Sequence, residues 1–273
     1  MKKNFIAAAI CGLGLLASGA ASAIVIEGVN FSDNLPGKHL EGATLAETLI
    51  TGSGQSLTGY GLISTVNDLP SYTTTPGNYL YFIARDYIST TFVPQTVTAD
   101  GAINFSGGVI DVYLGAFKDL GSSNSTANIS YISGLTQYVR LAGHTNAANS
   151  TISATGNIQG TTISFKGNGF LDVVPGFGFA NAVNFLNTNT INDGHGGFAD
   201  ITFTSSGDNT AQNSNDPACR DRSGAFIGTA GQFCVRGVAS LAGATAVPEP
   251  GVLAMLGLGL LGMGASLRKR KSA

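Results

Sequence analysis

Short runs of β-branched and aromatic residues, separated by Gly, Asn, Asp or Pro, recur along most of this chain. Val, Ile, Tyr, Phe and Thr favour strands, and the residues between the runs favour turns. Outside the two ends, one segment, EGATLAETLI at 41–50, is compatible with a turn or two of helix, because Thr44 and Glu47 have the spacing of a capping box. The pattern predicts strands at residues 24–31, 57–66, 79–87, 109–114, 128–132, 137–141, 161–174, 182–186, 198–204 and 233–241.

Many strands with Gly-rich turns and without intervening helices predict an all-β fold. We expect a β-sandwich of jelly-roll type, in which each sheet buries one face and exposes the other. The stretch TISATGNIQGTTISFKGNG at 151–169 keeps a β-solenoid open as the alternative, because its strands are short and polar with recurring Gly and Asn. No fixed repeat period runs along the chain, and this favours the sandwich.

The first residues have the three zones of a secretory signal peptide. Lys2 and Lys3 precede an apolar run at 5–17, and Ala21 and Ala23 place small side chains at the two subsites that signal peptidase reads. The expected boundaries are a signal peptide at 1–23, a first mature residue at Ile24 and an exported all-β domain at 24–246.

The chain ends with VPEPGVLAMLGLGLLGMGASLRKRKSA at 247–273. Residues 251–267 carry no formal charge, and as a helix they would extend about 25 Å, close to the hydrocarbon thickness of a bilayer. Such a run predicts a single transmembrane helix. The cations that follow it predict a stop-transfer signal that stays cytoplasmic and leaves the β-rich body outside the inner membrane. These cations are Arg268, Lys269, Arg270 and Lys271.

A rigid step precedes that hydrophobic run. Pro248 and Pro250 fix their own φ angles and push Val247 and Glu249 toward extended backbone. Peptidases generally bind their substrates in extended form. These residues therefore predict a recognition site for a processing enzyme at the membrane surface.

VPEP, the Gly- and Leu-rich run and RKRK together resemble the PEP-CTERM sorting signal of Gram-negative bacteria that make exopolysaccharide. The resemblance covers under a tenth of the chain. It implies that an exosortase, a membrane peptidase or transpeptidase, recognises Pro248, Glu249 and Pro250 and removes the tail. The implied partners are signal peptidase, exosortase and, transiently, the inner membrane, and the implied destination is the cell surface or extracellular matrix. The body is more faintly similar to PEP-CTERM proteins of flocs and biofilms.

Charge and cysteines narrow the function classes. Between Ile24 and Val247 there are eight Lys and Arg against fifteen Asp and Glu, a formal charge of −7. Nucleic-acid binding requires clustered cations, so we expect no nucleic-acid partner. Cys219 and Cys234 are the two cysteines of the exported region, and an oxidising compartment predicts a disulfide between them.

Candidate catalytic residues form no convergent pattern, and we predict no enzymatic activity. The sequence lacks the GxSxG of a serine hydrolase. Asp111 with Asp119, or Asp193 with Asp200, would be the carboxylate pairs for glycoside cleavage, but the sequence does not supply their separation in space. The histidines of the exported region, each in a polar or Gly-rich segment typical of solvated side chains, are His39, His144 and His195.

Oxygen ligands are densest at 192–200 and 207–221. Calcium takes six to eight oxygens from Asp, Asn and backbone carbonyls, which makes Asp208 and Asp216 calcium candidates. The alternative is a set of ordinary turns, because Asn, Asp and Gly are also typical of turns and the EF-hand spacing is absent. No other cofactor is predicted.

The expected function is structural or adhesive, in association with exopolysaccharide of a biofilm or floc. Hydroxyl and amide side chains can hydrogen-bond to sugars, although the absence of Trp weighs against a specific lectin. The alternatives are a carbohydrate- or calcium-binding module and, behind it, a matrix-remodelling glycosidase or lyase. The tyrosines considered for stacking on sugars are Tyr60, Tyr72, Tyr79, Tyr81 and Tyr113.

Overall fold

The computed structural model describes residues 24–31, 38–96, 98–146, 149–159, 162–210 and 212–243, with the backbone alone at 43–45 and 158–159. Strands dominate, which confirms the all-β prediction. The strands are β1 Ile24–Ile26, β2 Val29–Phe31, β3 Lys38–Thr48, β4 Ser56–Val66, β5 Asn78–Val93, β6 Gly101–Ala116, β7 Thr136–Gly143, β8 Ile152–Gln159, β9 Thr162–Gly178, β10 Ile191–Asn192, β11 Phe198–Ala199, β12 Ile201–Asp208 and β13 Phe233–Gly243. The helical elements are a 3₁₀ turn Leu120–Ser122, α1 Ser125–Ser133 and α2 Ala180–Leu186.

Nine of these strands belong to one sheet in the order β12-β13-β3-β4-β5-β6-β7-β9-β8. Strand β12 pairs with β9 as well as with β13, and β8 pairs with β6 as well as with β9. The hydrogen-bonded neighbours therefore form a closed cycle: β3, β4, β5, β6, β7, β9, β12, β13 and back to β3. Strands β7 and β8 lie one after the other between β6 and β9. Every pairing is antiparallel.

The main core lies on the inner face of this cycle. Side chains alternate between the two faces of a strand, so on β5 Leu80, Phe82 and Ala84 join the main cluster while Tyr81 and Ile83 face the other way. Burying one face of every strand in this way supplies most of the stabilising free energy, at about 25 cal/mol per Å² of apolar surface. The main cluster also contains apolar residues of β2, β3, β4, β6, β7, β8, β9, β12, β13 and α2.

The second face of β5 is covered as well. Helix α1 packs there, and Ile132 of α1 joins Tyr60, Tyr81 and Ile83 in a separate cluster. The helix begins at a cap: the Asn124 side-chain oxygen accepts a hydrogen bond from the Ala127 amide at 2.9 Å. Strand β5 is therefore buried on both sides from Leu80 to Ala84.

The predicted sandwich is not confirmed, because the long strands join in one sheet instead of two stacked sheets. The solenoid alternative does not match either, since the stretch at 151–169 forms an antiparallel hairpin of β8 and β9. The helix expected at 41–50 is wrong: its residues up to Thr48 lie in β3, which pairs with β4 on one side and β13 on the other. Hydrogen bonding to strands on both sides outweighs the local preference for helix that a capping-box spacing indicates.

Two predicted strands are wrong in the opposite sense. Residues 128–132 lie in α1, and residues 182–186 lie in α2. Both helices are short and contain β-branched or aromatic residues, so their composition resembles that of a strand. Two long strands were also missed as such, β3 and β8, because Gly, Ala and Ser dilute their β-branched residues, and so was the two-residue β10.

The predicted disulfide is confirmed: Cys219 and Cys234 are bonded. They lie in a third apolar cluster with Leu49 and Val235. Within the described ranges, no helix has both the length and the apolar character needed to cross a membrane. The predicted signal peptide at 1–23 and transmembrane helix at 251–267 lie outside those ranges.

Candidate functional site

A row of polar side chains crosses five neighbouring strands on the outer face of the sheet. The register places one residue per strand in line: Asn168 of β9 opposite Thr204 of β12, then Ser240 of β13, Glu41 of β3 and Thr65 of β4. These residues face outward because the flanking positions, such as Phe203 and Leu241, belong to the main core. The row extends across the whole width of five strands.

A second row runs beside the first, with Lys166 opposite Ser206 and Ser206 opposite Val238. Between the two rows lies a groove of about 600 Å³. Small residues make it concave, since Gly42 and Gly167 are among those that line it. We call this feature the polar groove, lined by Glu41, Gly42, Ser64, Lys166, Gly167, Asn168, Thr204, Ser205, Ser206, Val238, Ala239 and Ser240.

Several side chains of the polar groove are available for new hydrogen bonds. Those of Asn168, Thr204 and Ser206 make none with other described residues, and Asn168 and Thr204 are exposed. Lys166 is exposed and forms no ion pair within the described part of the chain. Amide and hydroxyl groups both donate and accept. The groove can therefore both donate hydrogen bonds to a hydroxyl-rich ligand and accept hydrogen bonds from it.

The rim of the polar groove at β3 is already hydrogen-bonded. Ser64 Oγ donates to the Glu41 carbonyl at 3.0 Å, and Thr65 Oγ1 donates to Glu41 Oε2 at 3.2 Å. His39 Nε2 lies 2.6 Å from Ser240 Oγ and 3.5 Å from Glu41 Oε1. These bonds hold the Glu41 carboxylate at the groove edge.

The calcium candidates are not brought together. Asp208 Oδ1 accepts from the Thr210 amide at 2.7 Å, and Asp216 Oδ1 accepts from the Ser125 amide at 2.8 Å, so each carboxylate caps a local turn or helix. Neither belongs to a group of three potential metal ligands in the described ranges. The group found there is His39, Glu41 and Asp68. One imidazole and two carboxylates suit calcium poorly, because calcium prefers an all-oxygen shell.

Asp111 is engaged in a structural ion-pair network. Its carboxylate is fully buried and accepts from Arg85 Nη2 at 2.6 Å, Arg140 Nε at 2.6 Å and Gln137 Nε2 at 2.7 Å. Burial alone would raise the pKa of Asp111, but the two guanidinium groups outweigh it and hold this pKa below its usual value. Asp119, its proposed partner, caps the 3₁₀ turn through the Gly121 amide. Both carboxylates of this pair therefore have structural roles.

His144 lies between two carboxylates. Its Nδ1 is 2.8 Å from Asp172 Oδ2, and its Nε2 is 3.1 Å from Asp193 Oδ2. Burial lowers the pKa of His144, but hydrogen bonds to both carboxylates more than offset that effect, and the pKa is raised. Backbone amides, that of His195 first, and His144 itself hold the pKa of Asp193 at about 2. The sequence did not reveal this arrangement, because the three residues come from separate loops and strands.

Asp200 has a different role from that expected of a catalytic pair with Asp193. Its carboxylate accepts from three backbone amides, those of Val173, Thr188 and Asn189, at 2.5–2.8 Å. It therefore fixes the loop that follows α2 against β9.

The tyrosines do not form a stacking surface for sugars. Tyr60, Tyr72 and Tyr81 are at most 1% exposed. Their hydroxyls have internal partners, as when Tyr72 donates to the Ile63 carbonyl at 2.7 Å. Burial raises the pKa of Tyr81 to about 12. The stacking hypothesis is therefore wrong for these three residues, while Tyr79 and Tyr113 are partly exposed.

The sorting residues Ala21, Ala23, Pro248, Glu249, Pro250 and Arg268 to Lys271 lie outside the described ranges. Comparison with known families nevertheless bears on the tail: the family model for the PEP-CTERM protein-sorting motif matches residues 246–271. Neither the curated proteins nor the solved structures include a match to the chain. The chain thus carries the PEP-CTERM protein-sorting motif, and is thereby identified as an exported protein that is anchored transiently in the membrane and processed by an exosortase.

Proposed function

We propose that the exported domain is a surface or extracellular-matrix component of a Gram-negative bacterium that binds extracellular polysaccharide along the polar groove. In this role it is structural or adhesive, in a biofilm or floc, and has no catalytic activity of its own. The observation that carries the proposal is the row of Asn168, Thr204, Ser240, Glu41 and Thr65, in register across five strands.

The dimensions of the groove fit a chain-like ligand. Neighbouring strands lie about 4.8 Å apart, so a row across five strands extends about 19 Å. A polymer that follows this row can make one hydrogen bond per strand. Each neutral bond contributes only about 1 kcal/mol, but repeated units of one polymer bind with a high effective concentration.

The surface chemistry also favours a neutral or weakly charged partner over a polyanion. The exported region carries a formal charge of −7, and Lys166 is the cation among the residues that line the polar groove. The carboxylates considered for catalysis, Asp111 and Asp200, are occupied by buried structural hydrogen bonds. The engagement of these carboxylates supports binding without cleavage.

Cosedimentation with the exopolysaccharide purified from the host tests this proposal. We expect the triple variant Asn168→Ala, Thr204→Ala, Ser206→Ala to lose at least about tenfold in affinity, because three hydrogen-bonding side chains are removed. A matched control is Thr91→Ala with Thr136→Ala, two exposed strand residues whose side chains make no hydrogen bond with other described residues. Equal binding by the triple variant and the wild-type protein would show that the groove is not the binding surface.

A further inference from the structure

An apolar chamber of about 110 Å³ lies inside the closed cycle of strands. Residues from β3, β4, β5, β6, β8, β9, β12 and β13 line it, and most of them are Ile, Leu, Phe, Val or Ala. An enclosed apolar cavity of about 150 Å³ stays dry and takes up small apolar molecules such as benzene. The size and lining of this chamber are therefore compatible with a small apolar ligand.

The chamber also contains a carboxyl group that nothing in the lining neutralises. Glu47 of β3 lines it and is 8% exposed, and its side chain has no hydrogen bond or ion pair with other described residues. Register shifts near Gly42 change the side-chain alternation of β3. As a result Leu40 and Glu47, an even- and an odd-numbered residue, both face inward.

A second polar group in the same lining also has no partner. The Tyr87 hydroxyl is buried and accepts or donates no hydrogen bond within the described ranges. Gly108 allows the Tyr87 ring to lie there, since a Cβ at residue 108 would come within 2.1 Å of Tyr87 Cδ1. Buried polar groups without partners cost free energy, so two in one small apolar chamber point to a ligand with a polar group of its own.

A wider outer chamber of about 410 Å³ adjoins the inner chamber, because six residues line both. The outer chamber has its own apolar lining, including Phe92, Val93 and Phe226, but neither Glu47 nor Tyr87. An elongated ligand would thus place its polar end inside and its apolar chain outward. The residues that line both chambers are Leu49, Ile50, Ile103, Ala154, Ile163 and Phe165.

We propose that the inner and outer chambers form a binding site for a small amphipathic amine, with its ammonium group at Glu47 and Tyr87 and its hydrocarbon chain directed toward the outer chamber. Glu47 and Tyr87 are the titratable residues among those that line the inner chamber, and no cation lies with them. An ammonium group supplies the missing positive charge and a hydrogen-bond donor for both oxygens. Once Glu47 is ionised, it would repel a carboxylate ligand, and an alcohol would leave its charge unbalanced.

The geometry also predicts a pH dependence of binding. Burial raises the pKa of Glu47 to about 7. An ammonium group binds the ionised carboxylate, so affinity rises as Glu47 loses its proton and stays high until the amine itself deprotonates. Between pH 5.5 and 8.5 the ionised fraction, and with it the affinity, changes by about 30-fold.

Isothermal titration of the exported protein, purified from cells, with hexylamine, hexanol and hexanoate tests the proposal. We expect hexylamine to bind best, with about 30-fold higher affinity at pH 8.5 than at pH 5.5. Carboxyl ¹³C shifts of Glu-labelled protein supply a second readout: the Glu47 titration midpoint moves downward when hexylamine is present.

Variants localise the effect. Glu47→Gln keeps the side-chain size and should lower hexylamine affinity at least about tenfold, while Tyr87→Phe keeps the ring and should lower it about fivefold. Glu27→Gln is the matched control, because Glu27 lies in the turn before β2, where Oε1 accepts from Asn181 Nδ2. Circular dichroism confirms that each variant is folded.

Three results would overturn the proposal: no binding of hexylamine at either pH, equal or tighter binding of hexanol or hexanoate, or unchanged hexylamine binding by Glu47→Gln. A Glu47 titration midpoint that is the same with and without hexylamine would likewise show that the chamber does not bind the amine. None of these results depends on the polar groove, which lies on the outer face of the sheet.

Discussion

Glu47 carries an acidic side chain into an apolar interior, and its protonation is therefore coupled to folding. The pKa of Glu47 is raised by burial to about 7 in the folded protein, against a usual value of 4.5. The folded state binds this proton more tightly than the unfolded state. The resulting stabilisation is fully present below pH 4.5 and is lost as the pH rises through 7, a change of about 3 kcal/mol.

We predict that Glu47→Gln removes this part of the pH dependence and makes the protein more stable than wild type at pH 8. Urea unfolding of both proteins at pH 5 and pH 8 measures the difference. The raised pKa of His144 also makes stability depend on pH, but this contribution is the same in both proteins and cancels when they are compared. Parallel pH profiles for wild type and variant would contradict the prediction.

At the residue scale, the disulfide could be predicted from the sequence, but the burial of individual side chains could not. Cys219 and Cys234 were paired correctly, because export to an oxidising compartment leaves a two-cysteine domain one choice. Tyr60 and Tyr81 were misassigned to the surface, because tyrosine suits both a core and a wet face and only the register decides between them. Glu47 was assigned to a capping box, because the register shifts that turn its side chain inward are not visible in the sequence.

Three adjacent strands are connected by one carboxylate. Asp111 of β6 binds Arg85 of β5 and Arg140 of β7, and its side chain is fully buried while the arginines are 41% and 21% exposed. Removing the acid leaves two guanidinium groups without their partner. The loss for a fully buried pair is about 3–5 kcal/mol, and partial access of these arginines to water reduces it to about 2 kcal/mol.

Asp111→Asn should therefore lower the free energy of unfolding by about 2 kcal/mol in urea titrations. Asp86→Asn serves as control, since Asp86 lies 3.6 Å from Arg85 Nη1 but is well exposed. Such an exposed pair contributes at most about 1 kcal/mol, and Asn tolerates the positive φ of this position. Similar losses for the two variants would refute a special role for Asp111.

The disulfide stabilises the segment before β13 as an element. It closes a loop with a sequence separation of 15 residues, which corresponds to about 3 kcal/mol on the chain-entropy model. The double variant Cys219→Ser, Cys234→Ser should lose that amount in urea unfolding, and wild-type protein in reductant should show the same loss. If reduction leaves the unfolding midpoint unchanged, the bond does not stabilise the fold.

At the element scale, strands with dense β-branched runs were located from sequence, such as β4, β5 and β13. Two features were not. Helices α1 and α2 were predicted as strands because they are short. Their helical conformation depends on tertiary packing, of α1 against β5 and of α2 against the main core. The polar groove could not be predicted, because its row exists only once the registers of five strands are known.

The fate of the whole molecule depends on its two ends. With the PEP-CTERM motif matched at residues 246–271, we expect mass spectrometry of the exported protein to show Ile24 at the N-terminus and no residues beyond the Pro248 to Pro250 step. Pro248→Ala with Pro250→Ala should retain the tail, because the extended recognition step is lost. A strain without exosortase is the reference. An intact tail on the wild-type protein would show that processing does not occur.

At the scale of the whole molecule, short runs of β-branched and aromatic residues between turn residues correctly indicated an all-β body. They could not indicate that the sheet closes, because a sandwich and a closed cycle both bury one face of each strand. Closure depends on long-range pairings: β9 with β12, across the interval that contains α2, β10 and β11, and β13 with β3, from opposite ends of the domain.

The closed cycle has a consequence for how readily the exported protein aggregates. Each of the eight strands of the cycle, and β8 beside them, pairs with a neighbour on both sides over at least part of its length. Unpaired strand borders are the templates on which proteins aggregate and form amyloid. A body with few such borders in this sheet is poorly suited to form fibres, so under the proposed function cohesion would come from bound polysaccharide and not from fibres of the protein itself.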